Sequence, residues 1–243
     1  MAESAYLPRL EIQDSEVLDS VRHSALVRVT HWIHALGFFA LVVSGIAILL
    51  AHPRLYWGET GGVGTPSLID LPLPFLLVGQ SGWGRYLHFL AAWVCVLTGM
   101  LYVLFGLITQ HFRKHLLPSR ADLAFGNIKR LVSNHLRLKR PGGVDFHCYN
   151  ALQRITYLGV VFVLFPLAIL TGLAMSPAIT SVFPALVVGF GGQQSARTIH
   201  FFVASSLVLF LLAHIAMVST SGFRNRMRAM ITGRMAAGKG PHE

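Results

Sequence analysis

Four long windows free of Asp, Glu, Lys and Arg constrain this chain more than any other feature of its sequence. They are residues 29–53, 86–112, 155–176 and 198–220. Crossing the hydrocarbon core of a bilayer takes about 20 apolar residues in an α-helix, so each window is long enough to span it. The whole chain is 53% hydrophobic and 12% charged, which lies outside the range of ordinary soluble domains. The sequence therefore predicts an all-α integral membrane protein built as a four-transmembrane-helix bundle.

Two further apolar stretches do not meet the requirements of a span. The charge-free run that begins at Ile155 continues to Ala196, but its second half contains two prolines and a Gly-Gly pair, which favour a loop near the surface. Residues 68–79 are apolar but short and also broken by prolines, which suits an interfacial segment. We expect no fifth span.

The net charge of +10 is distributed unevenly along the chain. Lys and Arg concentrate between the second and third windows and after the fourth, whereas loops 54–84 and 176–196 hold almost none. Cytoplasmic loops of membrane proteins carry such an excess of Lys and Arg. We therefore predict that both termini and the 110–150 loop are cytoplasmic. Nucleic-acid binding is not expected, because no recognisable reader motif accompanies the basic loops.

Three regions follow from these windows. Residues 1–25 contain five acids and no apolar core, so we interpret them as a cytoplasmic N-terminal segment and not as a cleaved signal. Residues 26–222 form the transmembrane domain, and residues 223–243 form a basic cytoplasmic tail. The two cysteines lack a C-x-x-C-H context, which excludes covalently attached c-type haem.

Two histidines, His200 and His214, stand inside the fourth apolar window. Fourteen residues turn a helix by about 1400°, within about 40° of a whole number of turns, and advance it by about 21 Å. The two side chains therefore share one face at two depths. A histidine in lipid costs free energy unless its ring nitrogens find partners, so each is a functional candidate. For a single histidine, an interhelical hydrogen bond is an equally good interpretation.

The second window supplies a partner for the outer of these two histidines. His88 lies three residues after Arg85, just as His200 lies three residues after Arg197. Both histidines lie near the start of their windows, and both starts are on the outer side in the predicted topology. The pattern therefore pairs His88 with His200.

The first window supplies a partner at the inner side. It opens with RVTHWIHA, which offers His31 or His34 to meet His214. Three windows thus open with Arg-x-x-His: RVTH, RYLH and RTIH. Depth along the helix does not choose between His31 and His34.

Paired histidines from facing helices at two depths are typical of bis-imidazole ligation of b-type haem. The set predicts two such haems bound between the helices. An arginine one turn outward can pair with a haem propionate, although arginine at a helix end is often only a snorkelling anchor. The candidates for this role are Arg28, Arg85 and Arg197. Small residues that would let helices approach a flat macrocycle are Gly37, Gly45, Gly99, Gly106 and Gly172.

These residues carry a resemblance to a known family. The THW near the start of the first window, the early histidine in the second, the fourteen-residue pair in the fourth and YNALQRITYLGVVFVLFPLAILTGLAMSP in the third resemble the bacterial di-haem cytochrome b subunits. Those subunits serve formate dehydrogenases, nickel-iron hydrogenases and thiosulfate reductases, within the wider cytochrome b561-like group. The resemblance covers residues 24–235.

The resemblance implies an electron-transfer subunit that connects membrane quinone with a redox protein on the outer, periplasmic face. It assigns His88 and His200 to the outer haem iron, and His31 and His214 to the inner one. His31 is preferred to His34 because it stands in the T-H-W context. The third window and its following loop look closest to thiosulfate-reductase-type subunits, which often accompany molybdenum enzymes.

Two other functions fit parts of this pattern. A stand-alone haem oxidoreductase would pass electrons between quinone and a small outer substrate such as superoxide. A histidine-lined metal transporter would usually add acidic or thiol ligands within its spans, and these windows contain no carboxylate. The polar groups at the inner side that a quinone could contact are Arg28, His34, Asn150 and Gln153, and their spacing selects none of them.

Overall fold

The computed structural model describes residues 24–62, 64–73, 81–109, 155–220 and 222–233 of the chain. Four helices within these ranges are long and apolar enough to cross a membrane, which confirms the predicted number of spans. They are α1 (Ala25–Ala51), α2 (Ser81–Ile108), α3 (Ile155–Ala174) and α6 (Gln193–Thr220). Asn150, Gln153, the acidic N-terminal segment and the 110–150 loop lie outside the described residues.

Local chemistry explains where two of these helices begin and bend. Ser24 caps α1, since its hydroxyl accepts a hydrogen bond from the backbone N–H of Val27 at 3.4 Å. In α3, residues Val160–Leu164 form a π-helical turn that leads into the regular helix Phe165–Ala174. Pro166 has no N–H to donate, and a proline ring excludes the carbonyl four residues earlier. The wider turn accommodates that proline inside an apolar span.

The spans pack as two neighbouring pairs, α1 with α2 and α3 with α6. Small residues allow close approach in the first pair: a Cβ added to Gly84 would lie 3.2 Å from the Cβ of Ala47. In the second pair, Val160, Val203 and Leu207 form a buried apolar cluster. Large apolar side chains on the opposite faces are exposed, as expected for helices whose solvent is lipid.

The loop after α1 folds into a small structure that rests on the start of α6. Strands β1 (Arg54–Leu55) and β2 (Ile69–Asp70) pair antiparallel, and Arg54 contacts Asp70 at 3.1 Å. The N–H of Gly58 donates to the Ser195 hydroxyl at 2.7 Å, and the Thr198 hydroxyl donates to the carbonyl of Tyr56 at 2.6 Å. These long-range bonds fix the loop over the end of the bundle.

The connection between α3 and α6 contains the short helices α4 (Pro177–Thr180) and α5 (Pro184–Gly189). The prediction of a loop in place of a fifth span is confirmed, with these two helical turns added to it. Gly192, at φ +114°, then brings the chain against the backbone of Gly58, so closely that a Cβ there would overlap it.

The chain after α6 forms one more helix, α7 (Phe223–Thr232), where the sequence predicted only a basic tail. Gly222 and Gly233, both in the left-handed region, begin and end it. Arg28 donates to the carbonyl of Ile231 at 2.7 Å, and the Trp32 indole donates to that of Met230 at 3.2 Å. The end of α7 is therefore fastened to the first turns of α1.

Candidate functional site

The structure brings the predicted outer pair of histidines together. The rings of His88 on α2 and His200 on α6 have centroids 6.2 Å apart and an interplanar angle of 67°. A ligating imidazole nitrogen lies about 2 Å from its metal and about 1 Å from its own ring centroid, so two rings that share one ion have centroids about 6 Å apart. The observed spacing fits bis-imidazole ligation of a single iron.

A hydroxyl on α1 determines which nitrogen of His88 carries the proton. The Ser44 hydroxyl donates its one hydrogen to the carbonyl of Ala40 at 2.6 Å, and its oxygen lies 3.0 Å from Nδ1 of His88. The oxygen must therefore accept from an Nδ1–H. In the neutral ring this leaves Nε2 with a free lone pair, the form that ligates a metal.

The same arrangement recurs on the other side of the pair. The Thr171 hydroxyl on α3 donates to the carbonyl of Leu167 at 2.7 Å and lies 2.9 Å from Nδ1 of His200. Ser44 and Thr171 are both fully buried. Each histidine of the pair is thus held in one tautomer by a buried hydroxyl from the neighbouring helix.

A glycine follows each of these hydroxyl residues and leaves room beside the imidazole. A Cβ added to Gly45 would lie 3.7 Å from Cε1 of His88, and one added to Gly172 would lie 3.6 Å from Cε1 of His200. A side chain on either glycine would occupy the space in which a flat macrocycle must approach the ring. The local residues therefore fit a b-type haem.

These contacts reveal an internal repeat that the sequence analysis missed. Residues 44–47 read Ser-Gly-Ile-Ala on α1, and residues 171–174 read Thr-Gly-Leu-Ala on α3. The hydroxyl of each motif contacts the histidine of the Arg-x-x-His in the following long span. The signal was present in the sequence, but only the packing shows that the two motifs face the two histidines.

Basic groups converge at the outer end of this pair. Arg197 lies one turn outward from His200 and donates a hydrogen bond to the backbone carbonyl of His52. Burial, followed by the positive charges of Arg197 and Arg85, lowers the pKa of His52 below its ordinary value. The three side chains therefore lie close enough to interact electrostatically, and such a cluster favours carboxylates such as haem propionates. His52 had no predicted role.

The described contacts of the predicted inner pair are with aromatic rings. His31 is exposed and its ring lies edge-on to that of Trp32, with centroids 5.4 Å apart. His214 stacks on Phe210 at 6.1 Å and an angle of 27°. Within the described residues, Nδ1 of His214 is buried without a hydrogen-bond partner. A buried ring nitrogen without a hydrogen-bond partner is compatible with a group bound at this histidine.

His34 has surroundings that resemble those of the outer pair. Its Nδ1 lies 2.9 Å from the carbonyl of Thr30, which can only accept, so Nδ1 carries the proton. The Thr98 hydroxyl lies 3.4 Å from the same nitrogen, and a Cβ added to Gly99 would lie 3.5 Å from Nε2. Thr98-Gly99 is thus a third hydroxyl–glycine pair facing a histidine. The geometry keeps His34 beside His31 as an inner candidate.

The three candidate arginines differ in their contacts. Arg85 is exposed near the outer rim, and Arg197 binds the carbonyl of His52. Arg28 caps the C-terminal carbonyls of α7 through Ile231, a structural role that the sequence did not predict. Its Nε is buried without a partner among the described residues, so one donor remains for another acceptor.

Comparison with known proteins identifies a family to which this chain is similar. A family model described as prokaryotic cytochrome b561 matches residues 22–233. The "Putative protein-methionine-sulfoxide reductase subunit YedZ1" of Azospira oryzae is 29% identical over 197 residues, 81% of this chain and 89% of that protein. The formate dehydrogenase cytochrome b556(fdo) subunit of Escherichia coli K12 is 25% identical over 196 residues, 80% of this chain and 76% of that protein. No solved structure matches the chain significantly.

Proposed function

The chain belongs to the prokaryotic cytochrome b561 family, and from this premise we propose that it is a di-haem cytochrome of the bacterial inner membrane. It exchanges electrons between the quinone pool and a redox partner at the outer, periplasmic face. Membrane electron transfer and b-type haem follow from the family. We propose in addition that the chain binds two haems, that it uses quinone and that its partner lies on the outer side.

The observation that carries the proposal is the His88–His200 pair. Two neutral imidazoles with protonated Nδ1 atoms, at the spacing of a shared metal, would hold the outer haem through their Nε2 atoms. A bound b-type haem supplies one-electron transfer at its iron. Ser44 and Thr171 orient the rings and keep each proton on Nδ1, away from the ligating nitrogen.

At the outer rim, Arg85 and Arg197 would bind the carboxylates of the haem propionates. The support is their position one turn outward from the ligands and their shared electrostatic effect on His52. His52 belongs to the same cluster, which the sequence analysis did not include. Asp70, an acid of the same outer loop, is engaged by Arg54. Two carboxylates arriving with a cofactor would balance the positive charge.

The inner haem would be held by His31 and His214, with Arg28 near its rim. His200 and His214 lie fourteen residues apart on α6, about 21 Å along the axis, which is too far for one iron. His214 lies on the inner half of α6, where its ring stacks on that of Phe210. His34 is the alternative to His31 as its partner.

The proposed partner is an oxidoreductase subunit of the molybdenum-enzyme type. The two relatives are named as subunits, one of formate dehydrogenase and one of a protein-methionine-sulfoxide reductase, which supports assembly with a second protein. The resemblance of α3 to thiosulfate-reductase-type subunits supports the molybdenum class. Quinol oxidation releases two electrons and two protons, so two one-electron centres relay its electrons singly.

Haem content and reduction by quinol test this function directly. The protein, purified from its native membranes, should contain two haems per chain in a pyridine haemochrome assay, and both should be reduced by a quinol. An oxidoreductase should co-purify with it. One haem per chain would overturn the two-site proposal. Electron exchange between the quinone and superoxide by the purified protein without any partner would favour the stand-alone oxidoreductase.

Reporter fusions test the proposed orientation. A fusion after Gly64 should report the outer side, and one after Pro141 should report the cytoplasm, because Lys and Arg concentrate in the 110–150 loop. The same side for both fusions would contradict the four-span topology with cytoplasmic termini.

A further inference from the structure

Helix α7 lies across the end of the bundle at which α1 begins and α6 ends. It follows directly after the α6 span, which ends at Thr220. Its last carbonyls accept hydrogen bonds from Arg28 and Trp32 in the first turns of α1. Because both ends of this helix are held at the same end of the bundle, α7 runs along the membrane boundary and does not project away from it.

One side of α7 faces the protein, and the opposite side is apolar and exposed. Ala229 is buried, whereas Ile231 is 60% exposed. Two residues turn a helix by about 200°, so these two side chains point in nearly opposite directions. Phe223, Met227 and Ile231 recur every four residues and form an apolar stripe, in which Phe223 is 48% exposed. The bundle therefore leaves this apolar stripe uncovered.

A basic stripe runs beside the apolar one. Arg224 and Arg228 each follow a member of the apolar stripe by one position, and both are exposed. They lie one helical turn apart, where two like charges destabilise a helix unless an anion lies near them. Arg226 lies at the other edge of the apolar stripe. A partner for this face of α7 must therefore combine apolar chains with negative charge.

The described residues supply no negative charge at this end of the bundle. Their acids are Glu59 and Asp70, both in the loop that follows α1, which is about 40 Å long. Asp70 is also engaged by Arg54. The counter-charge for Arg224 and Arg228 therefore comes from outside the described part of the chain.

We propose that α7 is an interfacial helix that binds the headgroups of anionic phospholipids. Its apolar stripe lies among the acyl chains, and the guanidinium groups of Arg224 and Arg228 lie at the headgroup phosphates. The lipid around the spans extends to the end of α6 and the start of α1, so it offers apolar chains and negative charge where α7 lies. Each arginine near the surface increases the preference for anionic over zwitterionic lipid.

Lipid selectivity tests this binding in the complete, haem-loaded protein. The protein is reconstituted with equal amounts of phosphatidylglycerol and phosphatidylcholine of the same acyl chains, and retained lipids are counted by native mass spectrometry. We expect wild type to retain phosphatidylglycerol about tenfold more than phosphatidylcholine, and Arg224→Gln/Arg228→Gln to lower this enrichment to within about twofold. Glutamine keeps the helix propensity of α7.

A charge-matched variant separates α7 from a general attraction of basic loops to the membrane. Arg113→Gln/Lys114→Gln removes the same charge from the 110–150 loop, on the same predicted side, and should keep the enrichment. An equal loss in this control would overturn the proposal, and so would equal retention of both lipids by wild type. Selectivity that appears only when the five acids of residues 1–25 become amides would assign that acidic segment, in place of lipid, to the arginines.

A second measurement tests which side of α7 faces the acyl chains. Nitroxide labels are placed at Met227→Cys and, as the matched control, at Asn225→Cys, because these positions point in nearly opposite directions. The two native cysteines are replaced by alanine, and the labelled protein is reconstituted in phosphatidylglycerol vesicles. Oxygen, which concentrates in lipid, should relax the label at 227 more strongly, and a water-soluble nickel complex the label at 225. Stronger relaxation of both labels by the nickel complex would place α7 in water and overturn the proposal.

Discussion

The two ends of the helix bundle, outer and inner in the proposed orientation, differ in how their candidate histidines are held. At the outer end, His88 and His200 each bind a fully buried hydroxyl, and their rings lie at the spacing of a shared metal. At the inner end, His31 is exposed beside Trp32. The outer pair is therefore oriented by hydroxyls from the neighbouring helices α1 and α3.

The inner candidates also differ from one another in the hydrogen bonding of Nδ1. Nδ1 of His214 has no partner among the described residues, whereas Nδ1 of His34 is fixed by the carbonyl of Thr30. Equal depth along two helices therefore does not make two histidines equivalent ligands. A partner for Nδ1 fixes the tautomer and the ring orientation, and it distinguishes a preorganised ligand from a candidate.

Removing the two histidines of α6 in turn should give the largest effect. His200→Ala should abolish the outer haem and His214→Ala the inner one, each lowering the content from two haems to one per chain, because about 21 Å of helix separates them. Haem content and redox titration in membranes measure this, with protein level as the control. If either variant keeps both haems with unchanged potentials, that ligand assignment is wrong.

Substituting His31 and His34 separately identifies the ligand of the inner haem on α1. We expect His31→Ala to lose the inner haem and His34→Ala to retain it, following the T-H-W context. The same spectra and titrations decide it, and the outer haem in each variant serves as the internal control. Loss only in His34→Ala would transfer the ligand role to His34 and make the inner site another hydroxyl–glycine site, with Thr98 and Gly99.

Loss of a hydroxyl partner should weaken one haem selectively. Thr171→Val removes the acceptor of the His200 Nδ1–H, and we expect the affinity for the outer haem to fall about 10- to 100-fold with the inner haem unchanged. Thr220→Val is the matched control, because within the described part of the chain that exposed hydroxyl on α6 bonds only to backbone carbonyls of its own helix. Equal haem loss in both variants would contradict a specific role for Thr171.

The smallest expected effect is the pH dependence of the outer haem potential. Burial and the charges of Arg197 and Arg85 lower the pKa of His52 below its ordinary value, so the ring gains its proton only at a lower pH than a free histidine does. The added positive charge favours the reduced haem, so the outer potential should rise at low pH. His52→Gln should remove this slope without changing the inner potential, and potentiometric titration at several pH values checks it. A slope that persists in the variant would exclude His52.

Much of the site could be predicted because its signals are local. Arg-x-x-His repeats in α1, α2 and α6, and the fourteen-residue spacing on α6, follow from helix geometry. The hydroxyl partners could not be found in this way, because Ser44 and Thr171 lie 44 and 29 positions from the histidines they bind. A shift of one residue turns a helix by about 100°, so a contact between spans depends on rotations that hydropathy does not encode.

The sequence by itself determined that this chain forms four apolar spans with histidines at two depths, because span length, charge and helical spacing are properties of single segments. Only the tertiary structure decided which histidines share a hydrogen-bonded setting, that His52 joins the outer arginines and that α7 returns to Arg28 and Trp32. Each of these is a contact between distant segments, fixed by how the helices and loops pack against one another.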